Sequence, residues 1–215
     1  LPYDFIFDAK KINIQQGVLL QGPVTKSSLN GQNGIIHTLY SDHGEEVCVH
    51  FINNVQFIAN AWLLYTGFSI GISDCIATKT NQIENVINRC FVEAKTVEEN
   101  TEDERIKEIR VNAALSKARD HGMRIAKEAL SNENNFISTV TSGSKGDYFN
   151  IAQITGLLGQ QNFSGKRIEY SLNNNTRALP HYSLQKLTKE EEYESKGFIK
   201  NSFIHGLNPK EFWFH

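Results

Sequence analysis

Ser142-Gly143-Ser144-Lys145-Gly146, Asn150-Ile151-Ala152-Gln153 and Gly159-Gln160-Gln161-Asn162-Phe163-Ser164-Gly165-Lys166-Arg167 follow one another between residues 142 and 167. Two glycine turns, each with a cation, bracket one short helix read from Asn150 to Leu158 and ended by Gly159. Glycine leaves room beside Lys145 for a ligand, and an ammonium meets phosphate as a point charge. A solvated surface lysine is the plainer alternative. No Gly-x-x-x-x-Gly-Lys-Ser/Thr loop is present. Lys166-Arg167 sets a second cation pair after Gly165. A guanidinium forks onto phosphate or equally onto a carboxylate, which leaves an internal salt bridge open. Gln153, Gln160, Gln161 and Asn162 add uncharged donors and acceptors, for a ligand or for local backbone.

Bulk composition narrows the class. The chain has 215 residues, 40% hydrophobic and 21% charged, with a net charge of −2. That is an ordinary globular composition, without the basic excess of a free-standing nucleic-acid binder. Between Ser142 and His181 the cations Lys145, Lys166, Arg167 and Arg177 face only Asp147 and Glu169. Cys48, Cys75 and Cys90 form no Cys-x-x-Cys pair, so neither structural zinc nor a disulfide scaffold is expected. The seven histidines lack helical metal-ligand spacing with a carboxylate partner, so no metal site is expected. No unbroken apolar run approaches the roughly 18 residues that suggest a membrane span. The opening Leu1-Pro2-Tyr3-Asp4 carries no signal-peptide pattern and no Met, and the ending Phe212-Trp213-Phe214-His215 reads as a helix cut short. Both suggest a piece of a longer protein.

Periodicity supplies the elements. Ile12 and Ile14, then Gln16-Gly17, then Val18 and Leu20 predict a hairpin. Val47, Phe51, Val55, Ile58, Trp62 and Tyr65 predict an amphipathic helix from about Glu45 to Thr66, stopped by Gly67. Ile83, Val86, Ile87, Cys90, Ala94 and Val97 predict a second helix after Thr80. Thr101-Glu102-Asp103-Glu104 reads as the capping box of a third. Its predicted stripe is Ile106, Ile109, Ala113, Ala114, Ala118, Ile125 and Ala129, interrupted by Gly122. The short acidic link makes these two an antiparallel hairpin. Asn135–Thr141 reads as helix, 166–172 as strand and Asn173–Asn175 as a polar turn. Asn208-Pro209-Lys210-Glu211 has the cap, first-turn proline and acid of a helix start. The fold class is α+β.

The string SGSKGDYFNIAQITGLLGQQNFSGKRI, continuing to Leu179-Pro180-His181-Tyr182, resembles the funnel region of the largest subunit of multi-subunit, eukaryotic-type RNA polymerases. Gly67 to Asp74, and Glu194 to Phe198 through Asn201-Ser202-Phe203 to Gly206–His215, resemble it in the same order. Gly17–Lys26 and Gly34–His37 resemble the preceding pore, so the similarity runs from about Lys11 to His215. It implies a small β-rich pore segment followed by a mainly helical funnel domain with a long helix hairpin. The boundaries expected are 1–75 for the end of the pore, 76–182 for the funnel, and 183–215 for a connector and the start of the bridging helix.

By this resemblance, Lys145, Lys166, Arg167 and Arg177 line the secondary channel. Gln153, Gln160, Gln161, Asn162 and Gly165 support the bridging helix where amatoxin inhibitors wedge. Lys145, Gln160 and Lys166 are expected to share one concave lining. No catalytic residue is expected: the family's Asn-Ala-Asp-Phe-Asp-Gly-Asp motif, which holds Mg2+ in the full nucleotidyltransferase, is absent, and the fragment alone should be inactive. Implied partners are the other polymerase subunits, nucleoside triphosphates, DNA template, RNA transcript and a transcript-cleavage elongation factor, with no membrane. Ser73, Cys75, the bulky Asp147-Tyr148-Phe149 and an extra residue in Arg177-Ala178-Leu179-Pro180 depart from the family pattern. They put the toxin response in doubt and suggest a divergent lineage. A large cytoplasmic DNA virus would place it in host cytoplasm or virion, a cellular enzyme in the nucleus. The alternatives are a helical adaptor that binds a protein through its hairpin and a stand-alone nucleotide-binding enzyme using Lys145.

Overall fold

A computed structural model of the chain describes residues 4–7, 12–76, 80–131 and 133–215. Leu1–Tyr3 and Lys11, which figured in the sequence reading, lie outside the described residues. The chain divides into two compact units, Leu1–Ser69 with Thr139–Lys145, and Ile70–Ser138 with Gly146–His215. The α+β expectation holds: small antiparallel sheets accompany a mainly helical body.

The first unit opens with three antiparallel strands, β1 (Asp4–Phe7), β2 (Ile12–Gln15) and β3 (Val18–Gln21), in the order β1-β2-β3. The expected hairpin is β2–β3, with Gln15 opposite Val18 and the register shifting between Asn13 and Ile14. β1 was not anticipated. Alternation turns Ile12 and Ile14 inward, onto Ile35, Leu39 and Phe51. After α1 (Lys26–Leu29) comes α2 (Ile35–Thr66), which is broken at Gly44 (φ 83°, ψ −177°) and capped by Gly67. The sequence reading found only the part beyond Gly44. Of the stripe expected there, Phe51 alone is buried, while Val47, Val55, Ile58, Trp62 and Tyr65 are exposed, as are Phe57 and Leu64 between them. α2 is also long and apolar enough to cross a membrane by length and composition. In the sequence His50, Asn53, Asn54 and Asn60 punctuate it, so no unbroken apolar run marks it.

The second unit is built on α3 (Thr80–Glu99) and α4 (Glu104–Ala129), the expected helix hairpin. On α3 the buried stripe is the one read from sequence: Ile83, Val86, Ile87, Cys90 and Ala94. On α4 it is not. Val111, Ala114, Leu115, Ala118, Gly122 and Ala126 face inward, and Ile106 and Ile109 are exposed. The cap is Asp103, accepting from the amides of Arg105 and Ile106, rather than Thr101, which is buried.

Next come α5 (Asn135–Thr141) and α6 (Tyr148–Thr155). α6 starts at an Asp147–Asn150 capping box and ends at Gly156, three residues before the expected Gly159, so Leu157 and Leu158 leave the helix and enter the core. β4 (Gly159–Gln160), β5 (Asn162–Phe163), β6 (Lys166–Arg167), α7 (Lys189–Ser195), β7 (Phe198–Ile199) and α8 (Pro209–Phe214) complete the chain. The expected strand over 166–172 is only the two residues of β6. Asn173, Asn174 and Asn175 form the expected turn, all three left-handed. Phe91 of α3 meets Phe198 at 4.8 Å and Tyr193 at 5.2 Å between ring centroids, which joins the hairpin to the C-terminal elements.

Gly122 packs closely against Leu157. A Cβ there would lie 2.9 Å from Leu157 Cδ2, and Leu157 is fully buried. Gly122→Ala gains about 1 kcal/mol of helix propensity but overpacks at a cost of about 1–3 kcal/mol. The expected urea-unfolding result is a net loss, recovered at least in part when Leu157→Val is added.

Candidate functional site

The polar stretch from Gly159 to Arg167 lies between α4 and the strand β7. Its backbone is tied to the following elements: Leu158 N donates to Asn201 O (3.1 Å), Gln161 N to Gly197 O (2.9 Å) and Ile168 N to Lys196 O (3.2 Å). β4 pairs with β7 through Gly159 opposite Ile199 and Gln160 opposite Phe198. β5 and β6 form a tight hairpin, Phe163 opposite Lys166, turning at Ser164-Gly165.

The candidate residues take different places. Gln160 is buried, and its Nε2 donates to Gln161 O (2.8 Å) and Lys196 O (2.9 Å). Gln161 Nε2 donates to Gly159 O (3.3 Å). These amides therefore hold backbone, one of the two uses left open for them. Gln160 and Lys166 do not share a lining: Gln160 points inward, whereas Lys166 is exposed with only a loose 3.6 Å approach to Glu169. Gln153 is half-buried, and its carbonyl accepts from Phe203 N (3.0 Å). Asn162 and Gly165 are exposed, and Gly165 O accepts from Asn112 Nδ2 (3.4 Å). Lys145 is exposed in the other unit.

Arg167 is corrected from a channel cation to a structural one. It is 5% exposed, and its Nε donates to Glu108 Oε1 at 2.7 Å while Nη2 reaches Oε2 of the same carboxylate. Burial pushes the Glu108 carboxyl up, but the hydrogen bonds and charge of Arg167 outweigh this and hold it below the usual carboxylate range. Arg177 likewise turns inward, its Nη1 donating to the carbonyls of Pro180 (3.3 Å) and Tyr182 (3.2 Å).

Two acids outside the candidate set organise this region. Glu108 is one. The other is Glu211, a buried carboxylate that accepts from Lys200 N, Asn201 N, Asn201 Nδ2 and Asn208 N at 2.8–3.1 Å. It fastens α8 to the chain after β7. Its position in a capping box was legible; its longer-range bonds were not. Lys189 links Glu98 (3.0 Å) and Glu192 (2.9 Å), tying α7 to the end of α3. Gly197 closes the arrangement at φ 96°, where a Cβ would meet Ile168 Cγ1 at 2.8 Å and Gln161 O at 3.0 Å. What this assembly presents outward is a groove of about 670 Å³. It is lined by Phe163, Lys166, Glu169, Leu179, Trp213 and Phe214, among others. Among the described residues, no three His, Cys, Asp or Glu side chains gather as a metal site.

Residues 79–199 match the family model described as RNA polymerase Rpb1, domain 4, and residues 6–75 match RNA polymerase Rpb1, domain 3. The chain belongs to the RNA polymerase Rpb1 family. It is 42% identical, over its whole length, to the probable DNA-directed RNA polymerase II subunit RPB1 homolog of Invertebrate iridescent virus 6. It is 35% identical, over 94% of its length, to the putative DNA-directed RNA polymerase 008R of Frog virus 3 (isolate Goorha). It spans 22% and 15% of those two proteins. The domain 3 match precedes the domain 4 match along the chain.

The Arg167–Glu108 pair carries a pH signature. A depressed folded-state value means that its stabilisation is complete above the unfolded glutamate range, near about 4.3, and is lost as pH falls through the folded value. Arg167→Ala is expected to cost about 2–3 kcal/mol at pH 7, toward the low end for a buried pair because Glu108 is partly open to solvent. In paired denaturant titrations the gap between wild type and variant should shrink below about pH 4. An unchanged gap would show that the carboxylate contributes nothing.

Proposed function

We propose that the chain forms the pore and funnel of the secondary channel in the largest subunit of a DNA-directed RNA polymerase. Nucleoside triphosphates enter by this route, and a transcript-cleavage elongation factor docks at its rim. The observation that carries the reading is the match of both segments to Rpb1 domains, together with apolar surface where neighbours were expected. Val18 and Leu20 are 58% and 57% exposed, and Phe212 and Trp213 64% and 67%. Such surface on a globular chain marks an interaction site. The exposed face of α2 extends the same argument. The stretch from Gly159 to Arg167 supports the start of the bridging helix, α8, indirectly: its backbone bonds the 196–201 segment, which Glu211 ties to α8, and Lys166 supplies the local cation that steers triphosphate.

In the full enzyme Mg2+ supplies the phosphoryl-transfer chemistry. The residues here do not fit such a site, since the Asn-Ala-Asp-Phe-Asp-Gly-Asp motif is absent. The assembled enzyme would act with its other subunits, DNA template and RNA transcript. The relatives come from large cytoplasmic DNA viruses, which supports a viral source acting in host cytoplasm or virion. A second reading, the adaptor, draws support from Val92, Ile106 and Ile109, which leave an apolar surface on the helix hairpin.

The test uses the complete polymerase carrying Lys145→Gln or Lys166→Gln. The channel reading expects the KM for nucleoside triphosphate to rise about threefold at low salt while kcat stays within about twofold, the mark of lost steering rather than lost chemistry. Unchanged KM in both variants would overturn it.

A further inference from the structure

We propose that the groove between α3 and α4 around Arg89 and Arg124 is a binding site for a short oligophosphate, either a free inorganic chain or the phosphate tail of a nucleotide. It is separate from the groove at Phe163–Trp213 and does not depend on the channel reading.

Gln82, Asn85 and Arg89 recur on one face of α3, and His121 and Arg124 face them from α4 across a concavity of about 320 Å³. Val86, which is buried, and Ile125 complete the wall. All the charged or titratable lining groups are basic, and the other two polar groups are amides that can donate. Of the acids closest in sequence, Glu93 pairs with Lys117, Asp120 lies 3.9 Å from Arg119, and Glu128, one turn beyond Arg124, is exposed and does not line the concavity. Among the described residues, no ion pair or side-chain hydrogen bond uses Arg89, His121 or Arg124. This sets them apart from Arg119, which stacks on Phe149, and from Arg167 and Arg177, which are bonded internally.

Two guanidinium groups on facing helices, neither held in an ion pair, repel each other, and a concave wall focuses their field. An anion relieves both effects. Each guanidinium offers a planar fork, which suits the paired oxygens of phosphate. Two forks, an imidazole and two amides supply more donors than one carboxylate can accept with its two oxygens, so phosphate fits better than an acidic side chain. The volume lies at the small end of ligand sites, which favours a short chain of phosphates.

The test is an NMR titration of the chain at low salt with inorganic tripolyphosphate, ATP, adenosine and a tetraglutamate peptide. Tripolyphosphate and ATP are expected to shift the amides of 82–89 and 121–125, and adenosine is not. Equal affinity for the first two assigns the free phosphate chain, and tighter ATP binding assigns a nucleotide; either supports the site. Arg89→Gln combined with Arg124→Gln should weaken tripolyphosphate at least about tenfold. Lys186→Gln, exposed and outside the groove, should leave it unchanged. Arg89→Lys with Arg124→Lys keeps the charge but loses the forks and should fall between. Binding weaker than about 10 mM, shifts mapping elsewhere, or tighter binding of tetraglutamate would each overturn the proposal.

Discussion

The buried fork of Arg167 onto Glu108 is the constraint on which the second unit depends. The two residues lie 59 positions apart, on β6 and α4. A buried guanidinium without a partner is strongly destabilising, so the pair permits only arrangements that bring β6 against this face of the hairpin. Once β6 is placed there, Ile168 N reaches Lys196 O, and Gln161 N reaches Gly197 O on the same returning segment. The β5–β6 turn then projects outward with Phe163 and Lys166 exposed.

The same logic governs the other polar groups. Gln160, Arg177 and Glu211 each satisfy backbone atoms at places where regular secondary structure is only two residues long or absent. A backbone group that leaves a sheet or helix still needs a partner when it is buried. Here side chains provide it, which explains why a region with so little regular structure can still be well packed. For function, the consequence is a division of labour. Gln160, Gln161, Arg167 and Arg177 bond internally, and the exposed polar residues, Asn162 and Lys166 among them, are the ones that can meet a ligand. The large apolar surfaces, on α2, β3 and α8, face outward, as expected of a segment that occupies about a fifth of its relatives' length.

What could be read in the sequence was local. The α3 stripe, the Gln16-Gly17 turn, the polar turn at Asn173–Asn175 and the Asn208 cap all follow from short-range rules, and all are present. The N-terminal end of the α4 stripe was misassigned because Ile106 and Ile109 carry the hydrophobicity, while the buried face, which includes the expected Ala114 and Ala118, also uses Gly122 for close approach. The cap went to Thr101 because both Thr101 and Asp103 are cap formers, and only the first turn's geometry separates them. Arg167 was ambiguous for another reason. Nothing near it in sequence identifies Glu108 as its partner, and a fork suits phosphate as well as carboxylate. Of the lining expected from Lys145, Gln160 and Lys166, Gln160 is internal, because an amide beside a strand end is closer to unsatisfied carbonyls than to solvent.

Native-state hydrogen exchange at the amides of Leu158, Gln161 and Ile168 measures most directly whether this segment is a fixed support. These three donors bond to the 196–201 segment rather than within a helix. If the segment is locked by those bonds, they exchange only with global unfolding of their unit, with protection equal to that of the α3–α4 core. Exchange at loop-like rates while α3 and α4 stay protected would mean that the polar stretch is a mobile wall, which contradicts a rigid support held by Arg167 and Glu108.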